Sequence, residues 1–233
     1  MGFVTDGTSV GFYPQRRFQI PPDGVELVLV RHGQSQAYQD GQTFPLVDGH
    51  GDPPLSPQGE VQAKLVCARL AAEGVDAIYV TTLRRTAATA APLAERCGLA
   101  MRVEPGLREI YLGEWEGGLY RKMVADGHPI AQRVFAEERW DVIPGGEGPQ
   151  SFADRVRGGI DRIVAAHRGE RVAVFTHGGV IGQAIALASG SRTFAFTSAD
   201  NASISRIAIF GDRWLVRVFN DASHLADPAA RAG

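Results

Sequence analysis

Short apolar runs alternate along this chain with stretches whose apolar residues recur at helical spacing. Val25–Val30 is a short run, apolar save for Glu26, after the turn signal Pro21-Pro22-Asp23-Gly24, and reads as a buried strand. A long polar loop, Gly33 to Pro54, follows. Ser56 caps a helix with Pro57 at its first position; Val61, Leu65, Val66 and Leu70 mark one face, and Gly74 ends it. Val75–Thr81 predicts a second strand. An alanine-rich helix runs from about Leu83 to Arg96 and stops at Gly98; Leu99–Val103 is a brief third strand. Leu107–Pro144 is the least regular part, with short helices and loops. Phe152–His167 reads as an amphipathic helix, Arg171–Phe175 as a strand and Val180–Ala188 as a helix. Ser203–Phe210 and Trp214–Phe219, joined by Gly211-Asp212-Arg213, read as a hairpin.

Strands alternating with helices point to an α/β fold, a three-layer α/β/α sandwich around a mainly parallel sheet. Sites in such sheets form at the carboxyl ends of strands. His32, Thr81 and His177 all stand at such ends. The expected organisation is an extension over residues 1–24, one domain over 25–225, and a tail over 226–233. Within the domain, the irregular stretch at about 113–143 forms a cap-like insertion over the site.

Composition narrows the class. The 233 residues are 44% hydrophobic, with Lys plus Arg 24 and Asp plus Glu 26, a formal net charge of -2. A nucleic-acid binder would show a basic excess, so none is expected as partner. No apolar run approaches the roughly 20 residues of a membrane span, and residues 1–24 lack the basic-then-apolar pattern of a secretory signal. Cys67 and Cys97 are too few for a disulfide framework and read as small buried thiols. A cytoplasmic setting fits.

The candidate chemistry begins where the first apolar run stops, at Arg31-His32-Gly33-Gln34-Ser35. A histidine there can attack phosphorus, and the adjoining arginine can hold phosphate. Taken alone, a satisfied histidine at a strand end is the better reading. Further motifs follow in order: Leu55-Ser56-Pro57-Gln58-Gly59 with Gln62-Ala63; Thr81-Thr82-Leu83-Arg84-Arg85-Thr86 with Thr89-Ala90; Leu107-Arg108-Glu109 with Gly113-Glu114-Trp115-Glu116-Gly117; Pro144-Gly145-Gly146-Glu147; and Thr176-His177-Gly178-Gly179. Together they resemble the histidine phosphatase superfamily, the phosphoglycerate mutase-like family, over nearly the whole chain.

The resemblance implies a phosphoglycerate mutase-like fold and a metal-independent phosphomonoesterase of its phosphatase branch, with no cofactor. His32 would be the nucleophile of a phosphohistidine intermediate. Arg31 and Arg85 would clamp the phosphate, Arg85 rather than Arg84 because it matches the family's spacing. His177 and the Gly178 N–H would donate to phosphate oxygens, with Ser35 and Gln34 as further phosphate contacts. Glu109 would be the general acid, with Glu114 and Glu116 as competitors. Glu147 and Asn201 are second-tier candidates. Two departures stand out: Tyr38 occupies a place where many members have Asn, and Gly148-Pro149-Gln150 interrupts the loop before Ser151. His50, His128, His167 and His224 lack metal-ligand spacing. Tyr111, Trp115, Tyr120 and Phe135 read more readily as a small core than as a cavity wall. The expected substrate is a small phosphorylated metabolite, and the terminal hairpin offers a surface for a homodimer. The rivals are a mutase of the same family, disfavoured by the short stretch from Glu109 to Pro144, and a non-catalytic phospho-ligand-binding protein on this fold.

Overall fold

The computed structural model describes residues 13–226. The expected extension before residue 13 and the tail after residue 226 lie outside the described residues. Residues 13–24 run along the surface, where Phe18 packs on Phe210 and beneath the guanidinium of Arg217.

Eight strands and six α-helices follow in chain order: β1 (Val25–Arg31), β2 (Leu46–Val47), β3 (His50–Gly51), α1 (Pro57–Glu73), β4 (Ala77–Val80), α2 (Arg84–Cys97), β5 (Met101–Val103), α3 (Leu119–Ala125), α4 (Pro129–Glu137), α5 (Pro149–Ala166), β6 (Arg171–Thr176), α6 (Gly178–Ser189), β7 (Ile204–Phe210) and β8 (Arg213–Asp221). The main sheet has the order β5-β4-β6-β1-β7-β8. Its first four strands are parallel; β7 is antiparallel to β1 and β8 to β7.

The side-chain alternation of β1 builds the layers. Leu27 and Leu29 join Phe152, Val156 and Ile160 of α5 and Ile181 and Ala184 of α6 in one core. Val28 and Val30 join Val66 and Leu70 of α1 and Ala90 and Leu93 of α2 in the other. Both sheet faces are covered, which is why the strand is apolar from Leu27 to Val30. Each such side chain contributes about 1.5–3 kcal/mol by leaving water. The three-layer sandwich expected from the sequence is therefore the fold.

Several local readings need correction. The buried stripe of α1 is Gly59, Ala63, Val66, Cys67 and Leu70, whereas Val61 and Leu65 are 49% and 37% exposed. Small residues are required there because the start of α1 lies against the backbone of Gly33 and Gln34. Helix α5 starts at Pro149, earlier than the apolar periodicity indicates, with Gly148 as its cap; Gly148-Pro149-Gln150 is thus a helix start. The loop after Gly33 contains the β2–β3 hairpin, turned by Asp48 and Gly49 at φ 48° and 82°. No helix among the described residues is long and apolar enough to cross a membrane.

Candidate active site

β1, β4 and β6 end side by side, and the residues after them meet. A cavity of about 1150 Å³ opens there, walled by the ends of the sheet, the loop after Gly33, and α3 and α4. Arg31, His32, Gln34, Ser35, Arg85, Glu109, Gly178 and Asn201 all line it.

His32 is 6% exposed. Its Nδ1 lies 2.8 Å from the Gly33 carbonyl. A carbonyl only accepts, so Nδ1 carries the proton and the lone pair sits on Nε2. Burial holds the imidazole pKa well below its usual value, and the charges of Arg85 and Arg31 lower it further. The backbone is pinned as well: the His32 carbonyl accepts from Asn201 Nδ2 at 3.0 Å and from the Ala202 N–H at 3.3 Å. Gly33 and Gly59 face each other without room for side chains. A Cβ on Gly33 would lie 2.6 Å from the Gly59 carbonyl oxygen, and one on Gly59 would lie 2.0 Å from that of Gln34.

Arg31 donates from Nη1 to the Ala199 carbonyl at 2.5 Å, and its Nε is buried with no partner. Burial lowers its pKa, opposed by Glu109 and Asp200. Arg85, 7% exposed, donates to the Gly51 carbonyl at 2.9 Å and stands 3.9 Å from Asp52. Burial brings its pKa down to about 10. Arg84 instead has a side chain 48% exposed and is tied to Asp52.

His177 caps α6 and is fully buried. Its ring stands edge-on to His32, centroids 5.2 Å apart, with Nε2 3.1 Å from Thr81 Oγ1. Burial, then Arg85, pushes its pKa well below the usual value. The structure brings His177 against the nucleophile candidate, but the ring is not among the residues lining the cavity.

Of the three candidate acids, Glu114 is exposed and turned away from the cavity. Glu116 spends both oxygens on the N–H groups of Leu112 and Gly51, at 3.0 and 2.7 Å. Glu109 faces the cavity. Its Oε1 accepts from the Ile110 N–H at 3.0 Å, and its Oε2 is 3.4 Å from the Gly179 N–H in the first turn of α6. Glu147 lies outside the cavity lining and grips Arg155 through both oxygens at 2.7 Å. Arg155 in turn donates to the carbonyls of Gly106, Arg108 and Glu109, so this pair holds the segment that carries the acid.

Ser35 Oγ accepts from Arg121 of α3 at 2.8 Å. The Gln34 carbonyl of the side chain accepts from Ser56 at the start of α1. Tyr38 lines the cavity and meets Phe44 edge-on. The aromatic residues of the insertion divide: Trp115 and Tyr120 belong to the core and line the cavity, Phe135 lines the cavity only, and Tyr111 packs on His50. Sequence reasoning missed Arg121, His50 and Arg155. Arg121 belongs to no motif, and its approach to Ser35 depends on how α3 folds back. His50 is a lining residue whose Nδ1 is 3.1 Å from the Asp48 carbonyl; the Asp48-Gly49 hairpin signal could have placed it.

Known proteins resemble the chain along most of its length. Phosphoglycerate mutase-like protein 4 of Arabidopsis thaliana is 35% identical over 210 residues, covering 88% of this chain and 89% of that protein. Metal-independent phosphoserine phosphatase of the same plant is 34% identical over 215 residues, covering 89% and 86%. Among solved structures, mycobacterial glucosyl-3-phosphoglycerate phosphatase superposes with a TM-score of 0.68 at 29% identity, covering 84% of this chain and 98% of that one. The model of the histidine phosphatase superfamily (branch 1) matches residues 27–222. With the histidine, arginine and carboxylate gathered at the strand ends, the chain belongs to the histidine phosphatase superfamily.

Proposed function

We propose that this enzyme is a phosphomonoester hydrolase that works without a metal cofactor, through a phosphohistidine on His32, on a small phosphorylated metabolite. The observation that carries the reading is a buried imidazole whose Nδ1 proton is committed to the Gly33 carbonyl, which leaves the lone pair on Nε2, while the charges of Arg85 and Arg31 oppose a second proton. His32 Nε2 attacks phosphorus in line, and the bond from phosphorus to the ester oxygen breaks. The departing oxygen takes the proton of Glu109. Arg31 and Arg85 balance the charge on the phosphoryl oxygens, which is most of what phosphoryl transfer asks of a protein. His177 acts on this centre by packing against His32. A water then gives its proton to Glu109 and attacks the phosphohistidine, releasing phosphate and restoring Nε2.

The test is hydrolysis of p-nitrophenyl phosphate in excess EDTA by the wild-type chain and His32→Ala. The wild type should turn over and the variant should not, and a rapid quench should trap an acid-labile, alkali-stable phosphoenzyme only in the wild type. Full activity in the variant overturns the mechanism. Isomerisation of a phosphoglycerate without release of phosphate would instead establish the mutase reading.

A further inference from the structure

The reacting groups occupy only the inner end of the cavity. At about 1150 Å³ its volume exceeds the roughly 300–1,000 Å³ typical of sites for drug-sized ligands. A three-carbon phosphoester would leave most of it unfilled. The outer wall carries six aromatic side chains: Tyr38, Phe44, Trp115, Tyr120, Phe135 and Trp140. Tyr120 bridges Trp115 and Trp140, with ring centroids 6.3 and 5.8 Å away. Phe135 on α4 is 52% exposed although it lines the cavity, so an apolar ring is left in water where a ligand would cover it.

The lysine of this outer region is already paired. Lys122 Nζ lies 2.8 Å from Asp126 and 3.4 Å from Asp40. Arg121 points inward, to Ser35 Oγ and the Gln36 carbonyl, with its guanidinium over the Phe44 ring. Lys122 is thus spent on carboxylates and Arg121 is turned toward Ser35, while apolar surface along the outer wall is plentiful.

Resting on the hydrolase reading, we infer that the leaving group of the preferred substrate carries an aromatic or similarly bulky apolar part, seated on the wall formed by Tyr120, Phe135 and Trp140. This assigns Phe135 as a specificity-determining residue.

The test compares two alkyl esters with similar leaving-group acidity, 2-phenylethyl phosphate and propyl phosphate, so that chemistry cancels and binding remains. The kcat/KM ratio should favour the phenylethyl ester by about tenfold or more, the lower end of what burying a phenyl group brings. Phe135→Ala should bring that ratio several-fold closer to one; the side chain is half exposed, so the fold does not depend on it. A ratio near one, a ratio unmoved by Phe135→Ala, or a preference for 3-phosphoglycerate over the phenylethyl ester overturns the assignment while leaving the hydrolase intact. Cleavage of none of the three esters defeats the hydrolase reading, and the assignment falls with it.

Discussion

Replacing Gly179 by Ala separates catalysis from stability. A Cβ at this position would lie 2.5 Å from Glu109 Oε1 and 3.4 Å from its Cδ. Gly179 sits in the first turn of α6 without a positive φ, so alanine suits the backbone and should contribute about 0.5–1 kcal/mol of helix stability. The clash is relieved only by moving the carboxylate on the order of 1 Å. That also breaks its approach to the Gly179 N–H. Misplacements of this size cost about 100-fold in rate, or about 2.7 kcal/mol of barrier. The loss should depend on the leaving group, because a proton donor matters most when the departing oxygen is basic. The assay is kcat/KM, which reports steps through phosphoenzyme formation, on an alkyl phosphate and on p-nitrophenyl phosphate. The alkyl ester should lose about 100-fold and the nitrophenyl ester far less, with the urea midpoint unchanged or raised. Equal losses on both esters would refute Glu109 as the acid, and no loss on either would refute its placement.

Gly59→Ala should destabilise the fold by about 3 kcal/mol or more, since its Cβ would stand 2.0 Å from the Gln34 carbonyl oxygen and backbone must move; a urea-derived loss below about 1 kcal/mol would contradict that close approach. Burial keeps His32 and His177 neutral when folded, so below about pH 6.5 the unfolded chain gains protons that the native state refuses. Stability should fall with decreasing pH by up to about 1.4 kcal/mol per pH unit for each ring until its folded pKa is reached, and a flat urea profile from pH 8 to 5 would count against the buried neutral rings. Arg85→Met should leave the ligand-free protein at least as stable, because a guanidinium whose pKa is lowered to about 10 by burial costs the folded state on the order of 3 kcal/mol, more than its hydrogen bond to Gly51 returns. The same variant should lose the rise in Tm that phosphate gives the wild type, and a drop of more than about 2 kcal/mol without ligand would reverse this reasoning.

The parts legible in the sequence share a physical basis. β1 and β6 are buried on both faces, so Leu27–Val30 and Val172–Phe175 are unbroken apolar runs whose ends are marked by the polar residues Arg31 and Thr176. Ser56, Pro57 and Gly98 are local signals that act without regard to tertiary structure. The misreadings arise where distant contacts decide. Val61 and Leu65 fit an apolar helical stripe, but the buried face is carried instead by Gly59 and Ala63, with Gly59 set where two backbones touch. Arg155 bonds three carbonyls about fifty residues earlier in the chain, a partnership with no local pattern. The strand-end position of Thr81 is local, but its contact with His177 depends on β4 and β6 lying side by side though 96 residues separate the pair. Asp48-Gly49 is a hairpin signal, but the strands beside it are only two residues each, too short to show an alternating pattern.

Under the proposed mechanism, the Gly33 carbonyl links the resting site to the reaction. In the free enzyme it holds the Nδ1 proton, which leaves Nε2 unprotonated while Arg85 and Arg31 discourage a second proton. Those cations would also oppose attack, because an imidazole that bonds to phosphorus becomes positively charged. A bound phosphate dianion removes the opposition by pairing with them. The positive charge then developing on the ring spreads to Nδ1, where the hydrogen bond to the carbonyl becomes charge-assisted and stronger. The contact that fixes the tautomer therefore also gains strength along the reaction coordinate, which is the property that lowers a barrier. Gly33 keeps its carbonyl in register because Gly59 permits no other approach of the two backbones. A glycine pair distant in sequence thus acts on the nucleophile through geometry, and the nucleophile's hydrogen bond turns that geometry into rate.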